Sequence, residues 1–401
     1  MSVSAFAGPD LSARLSARLS VGFSWVGHTL MHIVSALFLT VVLTLEKEWA
    51  LPYDELIRLW TLGSLLIGLG APLAGWLADR WSDAGMMAVF FWITGAGAVW
   101  AGLAADPHGL WLGLAVLGLG ASIYHPVGMS WIVKNAANRG EALGWLGLFG
   151  SLGVALAGVT AGGLTDLAGW RSAFLVPGGL CLVLGAALTL CIVFGLVRDR
   201  RIDVKPQAQP SRGDAMRAFF VLSVTMICAG LMFNAMQVVL PKLFGERLSG
   251  LLGEGALGVG GLVTLVYLTA AIPQLLGGRL ADRYPLKRIY VICLAIQTPM
   301  MALLAVLSGL PVVAAAAFVV IASQTQIPAE NMLLARYTPD RHRGLAFGAK
   351  FILSFGAGPL AVLLTAWSYE TYGGFAPLYM VLTVLGATAA LAGLLLPREA
   401  A

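Results

Sequence analysis

The sequence predicts an all-α integral membrane protein with twelve transmembrane helices in two pseudo-symmetric six-helix bundles. Only 11% of its 401 residues are charged, 59% are hydrophobic, and the mean hydropathy is +0.85. A soluble domain carries about 25% charged residues, so this composition excludes an ordinary soluble enzyme or a nucleic-acid-binding module. The apolar runs are rich in Leu, Ala and Gly and lack the alternation of membrane β-strands, which favours helices.

Gaps between the charged residues set the positions of these helices. A helix needs roughly 20 apolar residues to cross the hydrocarbon core, and turn residues or charges separate successive runs of this length. Before the first run, Leu11–Ser20 (LSARLSARLS) predicts either a short interfacial lead-in or the first turns of helix 1. In chain order, the predicted spans are residues 19–45, 56–79, 86–105, 109–134, 141–165, 172–197, 216–243, 256–281, 287–308, 311–336, 343–367 and 375–396.

The basic residues predict the orientation of the spans. With a cytoplasmic N-terminus, twenty of the 25 Lys and Arg residues lie on the inner side, and the outer side holds only Lys47, Arg58, Arg171, Lys242 and Arg247. Acidic residues divide almost evenly, as expected of a rule that concerns basic residues. We therefore predict a multi-pass protein of the bacterial inner membrane with both termini in the cytoplasm. The net charge of +5 reflects this topology, and no nucleic-acid partner is expected.

One polar segment and two repeated motifs predict the domain organisation. Residues 198–215 are read as a cytoplasmic linker between bundles at 1–197 and 216–401. The run GWLADRW at Gly75–Trp81 recurs as GRLADRY at Gly278–Tyr284, an offset of 203. The run RGEALG at Arg139 recurs as RGLAFG at Arg343, an offset of 204. Two matches at nearly one spacing, each in the equivalent loop, indicate that the halves are copies with parallel topology.

These repeated loops resemble the signature of the major facilitator superfamily, and the resemblance covers essentially the full chain. It implies a secondary active transporter whose two halves rock around a midplane site. After Arg80 the family's basic residues are replaced by Trp81–Ala84, whereas Lys287 and Arg288 preserve them in the second copy. The resemblance implies a cytoplasmic gate made of Gly75, Asp79, Arg80, Arg139, Gly278, Asp282, Arg283 and Arg343. The alternative to this gate is that the Asp and Arg of each loop form an interfacial pair without a gating role.

Two narrower resemblances concern branches of that family. Gly158–Gly163 (GVTAGG) is similar to the Gly-Pro-x-x-Gly-Gly element of drug/proton antiporters, although Val159 stands in place of its proline. Gly118–Pro126 together with His28 resembles the fosmidomycin-resistance-like branch. That branch has acidic residues where this chain has Val127 and His32. The first element implies export, and the second implies membership of the fosmidomycin-resistance-like branch.

Polar side chains inside the spans are the candidates for a substrate and proton site. A polar group at membrane depth is costly unless it faces a cavity or a partner. In this chain they concentrate on spans 1, 4, 7 and 10, which line the central cavity in the family that the loops resemble. The candidates are His28, His32, Tyr124, His125, Asn234, Gln237, Gln324, Gln326, Glu330, Asn331 and, on span 11, Lys350.

Glu330 is the one acidic residue predicted inside a span. At 1.5 Å per residue, Glu330 and Lys350 lie at matching depths of about 9 and 10 Å from the cytoplasmic edge, so an ion pair between them is geometrically allowed. Protonation of Glu330 would then release Lys350 or an organic anion, which is the switch of a proton-coupled antiporter. The alternative is a permanent structural pair or a snorkelling Lys350.

His28 and His32 share one face of helix 1 because they are four residues apart. They are read as a proton relay or substrate donor pair, as hydrogen-bonded core residues, or as a metal site. Two histidines alone coordinate zinc poorly and no HExxH motif is present, so no metal is expected. His125, before Pro126, is alternatively a donor to a backbone acceptor near a kink.

The function predicted from the sequence is proton-coupled export of a small amphiphilic or anionic compound. No GxxxxGK[ST] motif or soluble domain offers an ATP site, so an ion gradient is the expected energy source. Uptake of an organic acid or other metabolite is the alternative, followed by lipid flipping or a membrane-embedded metalloenzyme using His28, His32 and His125. The expected partners are a small molecule, protons and the lipid bilayer. No cofactor or enzyme activity is expected, and the protein is expected to act as a monomer.

Overall fold

The computed structural model describes residues 9–136, 139–198, 211–253, 255–269, 271–338 and 343–397. Within these ranges the chain forms helices and turns without a β-strand. Eleven of the helical stretches in the described chain are long and apolar enough to cross a membrane, and the shorter apolar helix at Ala256–Leu268, followed by Ala271–Arg283, supplies a twelfth crossing. The predicted all-helical membrane fold is confirmed. Most of the predicted linker at 198–215 lies outside the described residues.

The first half of the chain contains six crossings, and the second half contains six. In the first half the helices are α1 (Pro9–Glu48), α2 (Tyr53–Arg58), α3 (Trp60–Arg80), α4 (Asp83–Leu103), α5 (Pro107–Ala121), α6 (Tyr124–Asn135), α7 (Arg139–Ala168) and α8 (Trp170–Val193). In the second half they are α9 (Arg212–Arg247), α10 (Ser249–Leu252), α11 (Ala256–Leu268), α12 (Ala271–Arg283), α13 (Leu286–Val306), α14 (Leu310–Tyr337), α15 (Arg343–Phe355), α16 (Gly358–Tyr372) and α17 (Ala376–Leu394). The stretch at Leu11–Ser20 forms the first turns of α1.

Three predicted spans are interrupted a few residues before a proline, and a fourth, span 2, has a one-residue break at Leu59 between α2 and α3. Pro126, Pro273 and Pro359 follow the breaks between α5 and α6, α11 and α12, and α15 and α16. A proline cannot donate to the carbonyl four residues before it, and its ring crowds that carbonyl. The helix therefore breaks at this carbonyl, which belongs to Ser122 in the first of the three cases. Other prolines, such as Pro328 in α14, lie inside helices that continue.

Glycines bring the two halves into backbone contact where α7 crosses α11. A Cβ on Gly158 would lie 2.5 Å from the Gly260 carbonyl oxygen, and a Cβ on Gly260 would lie 2.1 Å from the Gly158 oxygen. The Thr264 hydroxyl donates to the Ala155 carbonyl at 2.6 Å. Only glycine permits such an approach, so the glycine run of span 5 is the seam between the halves.

Ion pairs join the halves at one end of the bundle, which we call the Lys242 end. The Lys242 ammonium lies 2.6 Å from the Glu46 carboxylate, and the guanidinium of Arg58 contacts Glu370. The Asp166 carboxylate accepts hydrogen bonds from the first backbone N–H groups of α11, at Ala256 and Leu257. A carboxylate at a helix N-terminus is favourable for the helix dipole, so the first half caps a helix of the second.

Candidate functional site

Three histidines meet in the first half, close to its boundary with the second. The Nε2 atoms of His28 and His32, one turn apart on α1, lie 3.2 Å from each other. His125 comes from the first turn of α6, and its ring centroid is 5.3 Å from that of His28 and 5.5 Å from that of His32. One potential ligand atom from each ring lies within 4.8 Å of the other two. The sequence placed the first pair on one face, and the tertiary fold adds His125.

The surrounding side chains and backbone fix the His28 ring in one orientation. Its Nδ1 lies 2.7 Å from the Leu146 carbonyl oxygen of α7 and therefore carries the proton, so the Nε2 lone pair accepts a hydrogen bond from His32 Nε2. Tyr124 stacks on the ring at 4.9 Å and donates its hydroxyl to the Ser24 carbonyl. A Cβ on Gly150 would lie 2.3 Å from the ring, so glycine is needed at this position.

His125 connects the first half to α15 of the second. Its ring stacks on Phe355 at 4.7 Å and on Phe351 at 5.3 Å. Its Nε2 is buried and has no hydrogen-bond partner among the described residues. An unsatisfied buried nitrogen costs free energy comparable to a lost hydrogen bond. Within the cluster, His125 Nε2 is therefore the atom that would gain most from binding a ligand.

A cavity of about 50 Å³ lies beside the histidines, between the halves. Its polar lining includes the predicted residues His32, Asn234 and Gln237, together with Ser35 and Ser64. The Asn234 amide donates to the carbonyls of Gly230 and Ser354. Drug-sized ligands occupy roughly 300–1,000 Å³, so this cavity admits a few water molecules, and a larger compound requires the halves to separate.

The second half holds a buried ion pair. The Lys350 ammonium of α15 lies 2.8 Å from the Glu330 carboxylate of α14, and the two residues are only 8% and 5% exposed. Tyr290 of α13 donates its hydroxyl to the other Glu330 oxygen at 2.9 Å. Lys350 also donates to the Asn331 side-chain oxygen. Each charge therefore has a counter-ion and a neutral hydrogen-bond partner, as a buried pair needs.

The other two predicted residues of α14 are also buried. Gln326 is buried and accepts a hydrogen bond at 2.8 Å from Gln297 of α13, and Gln324 is buried beside it. The lining of the cavity beside His32 is formed by α1, α3, α9, α15 and α16. The predicted residues thus form two groups, one around the cavity and the histidines and one around Glu330.

The predicted gate residues lie at the opposite end of the bundle from Lys242. The Asp79 side chain is 76% exposed, with Lys134 at 4.0 Å, and the Arg80 guanidinium lies over the Trp76 ring. Lys134 itself pairs with Asp83 at 2.7 Å. Gly75 packs near Pro126, whereas the space around Gly278 is open and Arg283 is exposed. The side chains of Arg139, Asp282 and Arg343 lie outside the described residues.

Sequence reasoning missed the contacts at the Lys242 end and several positioning residues. Lys242 also lies 3.5 Å from Glu246 and about 5 Å from the ring centroids of Tyr53 and Tyr369. The sequence offered one signal for these contacts, namely that Lys242 lies at the end of span 7 and Glu46 directly follows span 1. Tyr290, Gln297 and Gly150 carried no signal, because nothing in the sequence says which helices they face.

The family of the chain follows from comparison with known proteins. The model described as Major Facilitator Superfamily matches residues 24–262 and 222–401. The chain belongs to the major facilitator superfamily. No curated protein matches it.

Solved structures share this fold of the major facilitator superfamily. A bacterial homolog to the human lysosomal transporter Spinster, in an inward-facing and occupied conformation, superimposes with a TM-score of 0.73 at 16% identity, covering 95% of this chain and 94% of that one. The same homolog in an inward-facing and unoccupied conformation gives 0.71 at 16% identity, with 95% of each chain covered. At this identity the likeness concerns the fold alone.

Family membership confirms the broad functional prediction. The protein is a multi-pass membrane transporter of the major facilitator type, a class of secondary transporters that move small molecules across the bilayer, and it is not an enzyme.

Proposed function

We propose that the chain is a proton-coupled transporter that exports a small amphiphilic or anionic compound across the bacterial inner membrane. The observation that carries the proposal is the buried Glu330–Lys350 ion pair. Ionisable side chains within a membrane span are costly, and they mark ion pathways and proton relays. Its hydrogen bonds to Tyr290 and Asn331 hold the pair in one geometry. In this proposal the protein acts as a monomer.

Proton transfer to Glu330 is the proposed switch. The protonated carboxyl keeps its hydrogen bond with Tyr290 but loses its charge, which leaves the Lys350 ammonium buried without a counter-ion. An uncompensated buried charge is strongly unfavourable, so Lys350 then attracts an anionic substrate or draws α15 into a new position. Phe351 follows Lys350 and stacks on His125, so a movement of α15 reaches the first half directly.

The orientation in this proposal comes from the basic residues. With twenty of 25 Lys and Arg residues inside, the Lys242 end faces outward and the Asp79 end faces the cytoplasm. The ion pairs of Lys242 and Arg58 then close the transporter towards the outside. The repeated loops at the other end, with Asp79 exposed in this conformation, form the inner gate when the halves rock.

The test begins with a ligand. Thermal-shift measurements on the purified protein, against a panel of organic anions and amphiphilic drugs at two pH values, identify compounds that stabilise the native state in proportion to affinity. The best compound is then added to proteoliposomes that contain a pH-sensitive dye, with and without an imposed pH gradient. Proton movement that depends on this compound is the expected result for the unaltered protein.

Glu330→Gln removes the titrating group and keeps its size. We expect it to abolish compound-driven proton movement while downhill exchange of the compound persists. Glu55→Gln is the matched control, because Glu55 is an exposed acidic residue directly before the start of span 2. This variant should behave as the unaltered protein does. Undiminished, still pH-dependent transport by Glu330→Gln excludes this residue from coupling.

Uptake of an organic acid is the alternative function, and it uses the same residues. Proteoliposomes of known orientation separate the two, because export and uptake reverse the side from which the compound must be added. Membership of the fosmidomycin-resistance-like branch remains a prediction. Lipid flipping is less favoured because His32, Asn234 and Gln237 make the cavity polar.

A further inference from the structure

The three-histidine cluster has a feature that proton coupling at Glu330 does not use, namely nitrogens that converge without a carboxylate. We propose that His28, His32 and His125 form a binding site for one divalent transition-metal ion of the zinc type. Of the described residues, these three form the one group of His, Cys, Asp or Glu side chains with metal-ligand spacing. This inference does not depend on proton coupling.

The separation of the His28 and His32 nitrogens matches a tetrahedral ion closely. Two nitrogens bound at about 2.0–2.1 Å to one tetrahedral ion lie about 3.3–3.4 Å apart, and the Nε2 atoms of His28 and His32 are 3.2 Å apart. The ligand atoms of all three lie within 4.8 Å of one another. In this proposal a rotation of the His125 ring, which stacks on Phe351 and Phe355 of α15 and meets the His28 and His32 rings edge-on, brings the third nitrogen into range.

His28 is already oriented as a metal ligand. Metal-binding histidines usually donate their other ring N–H to a carbonyl or carboxylate, which fixes the tautomer and ring orientation. The Leu146 carbonyl accepts from Nδ1 at 2.7 Å and leaves the Nε2 lone pair for the ion. On binding, the proton that His32 Nε2 shares with His28 moves to His32 Nδ1, so both Nε2 atoms become ligands.

The unpartnered nitrogen of His125 points to a missing ligand. His125 Nε2 is buried and has no partner among the described residues, and a metal ion satisfies such an atom. Imidazole nitrogen suits zinc, copper and nickel, whereas calcium and magnesium require oxygen ligands. The three-histidine set therefore favours a borderline transition metal over an alkaline-earth ion.

Three protein ligands leave a fourth position open. His32 borders the cavity that also contains Ser35, Asn234 and Gln237. A water molecule or an oxygen donor of a transported compound therefore completes the coordination from the cavity side. A site with three histidines and an exchangeable fourth ligand can bind and release a small molecule at the open position.

Metal content and spectroscopy of the purified protein test this site. The full chain, purified with an affinity tag that contains no histidine, is incubated with Zn²⁺, desalted and analysed by mass spectrometry of the metal. We expect about one Zn²⁺ per chain. Co²⁺ replaces Zn²⁺ as a probe, because four-coordinate Co²⁺ gives intense visible absorption bands that six-coordinate Co²⁺ lacks.

Ligand variants make the test specific. His28→Phe, His32→Phe and His125→Phe keep an aromatic ring in each place, and each should weaken Zn²⁺ binding at least about tenfold. Gly150→Ala keeps all three histidines but displaces the His28 ring, and it should weaken binding as well. His108→Ala is the control, because His108 is exposed near Trp111 and outside the cluster.

The outcomes are separable from those of the transport experiment, because binding is measured in detergent without a substrate. Native elution in size-exclusion chromatography establishes that each variant is folded. The proposal is overturned if the unaltered protein retains far less than one Zn²⁺ per chain. It is also overturned if folded triple-phenylalanine protein binds as much as the unaltered protein does, or if Co²⁺ shows only six-coordinate spectra.

Discussion

The two halves of this transporter hold their buried polar side chains in different ways. In the second half, side chains satisfy one another, as Glu330 does with Lys350 and Tyr290. In the first half, the rings bond mainly to backbone carbonyls and stack on aromatic neighbours, and His125 keeps an unpaired nitrogen. Among the described residues, the first cluster thus leaves one buried nitrogen without a hydrogen-bond partner, whereas each charge of the second cluster has one.

Divergence of a duplicated backbone explains this difference. Pro126 in the first half corresponds to Pro328 in the second. The residue before each proline is His125 in one half and Ile327 in the other. Two residues after each proline stand Gly128 and Glu330. Around the two prolines, the first half therefore carries a ring nitrogen one residue before the proline, and the second half carries a carboxylate two residues after it.

The largest effect should come from breaking the complete cluster. Lys350→Met leaves Glu330 as an uncompensated buried charge, and removal of one partner of a buried pair costs about 3–5 kcal/mol. We expect a decrease of this size in the free energy of unfolding, measured by titration with denaturing detergent in mixed micelles at neutral pH. The double variant Lys350→Met/Glu330→Gln should recover most of the lost free energy of unfolding, because no unpaired charge then remains. A loss below about 1 kcal/mol in the single variant contradicts a buried pair.

An intermediate effect should come from crowding the histidine cluster. Gly150→Ala places a Cβ 2.3 Å from the His28 ring, which Tyr124 and the Leu146 carbonyl hold in place. Overpacking of this kind costs about 1–3 kcal/mol. Gly144→Ala is the matched control on the same helix, since no atom lies within 4 Å of its added Cβ. The control should leave stability unchanged or raise it by up to about 1 kcal/mol through helix propensity. Equal effects of the two substitutions would show that the ring is free to move.

The smallest effect should come from removing the unpaired nitrogen. His125→Phe keeps the stacking on Phe351 and Phe355 and removes a buried polar atom without a described partner. In metal-free protein we expect a change of less than about 1 kcal/mol, because no hydrogen bond is lost. Tyr124→Phe is the contrast at the neighbouring position. It removes the hydrogen bond from the Tyr124 hydroxyl to the Ser24 carbonyl and should cost about 0.5–1.5 kcal/mol. A larger loss for His125→Phe than for Tyr124→Phe would mean that His125 has a partner of its own.

Much of the fold was readable from the sequence because lipid imposes simple rules. Runs of about 20 apolar residues had to cross the membrane as helices, and the repeated loops at Gly75 and Gly278 showed two copies of one topology. Depth along a helix follows from its rise per residue, so the matching depths of Glu330 and Lys350 were predictable. The proline-linked breaks were harder to predict, since Pro328 shows that a proline in a span need not break it.

Which side chains meet was decided by the tertiary structure alone. Periodicity places His28 and His32 on one face, but the angle at which helices cross determines whether His125, almost one hundred residues away, joins them. The same holds for Tyr290 beside Glu330 and for Glu46 beside Lys242. The sequence by itself therefore determined that polar groups are buried in a duplicated membrane bundle. Only packing decided that one half gathers nitrogens and the other an ion pair, because contacts between distant helices depend on their rotation and tilt, which no local pattern encodes.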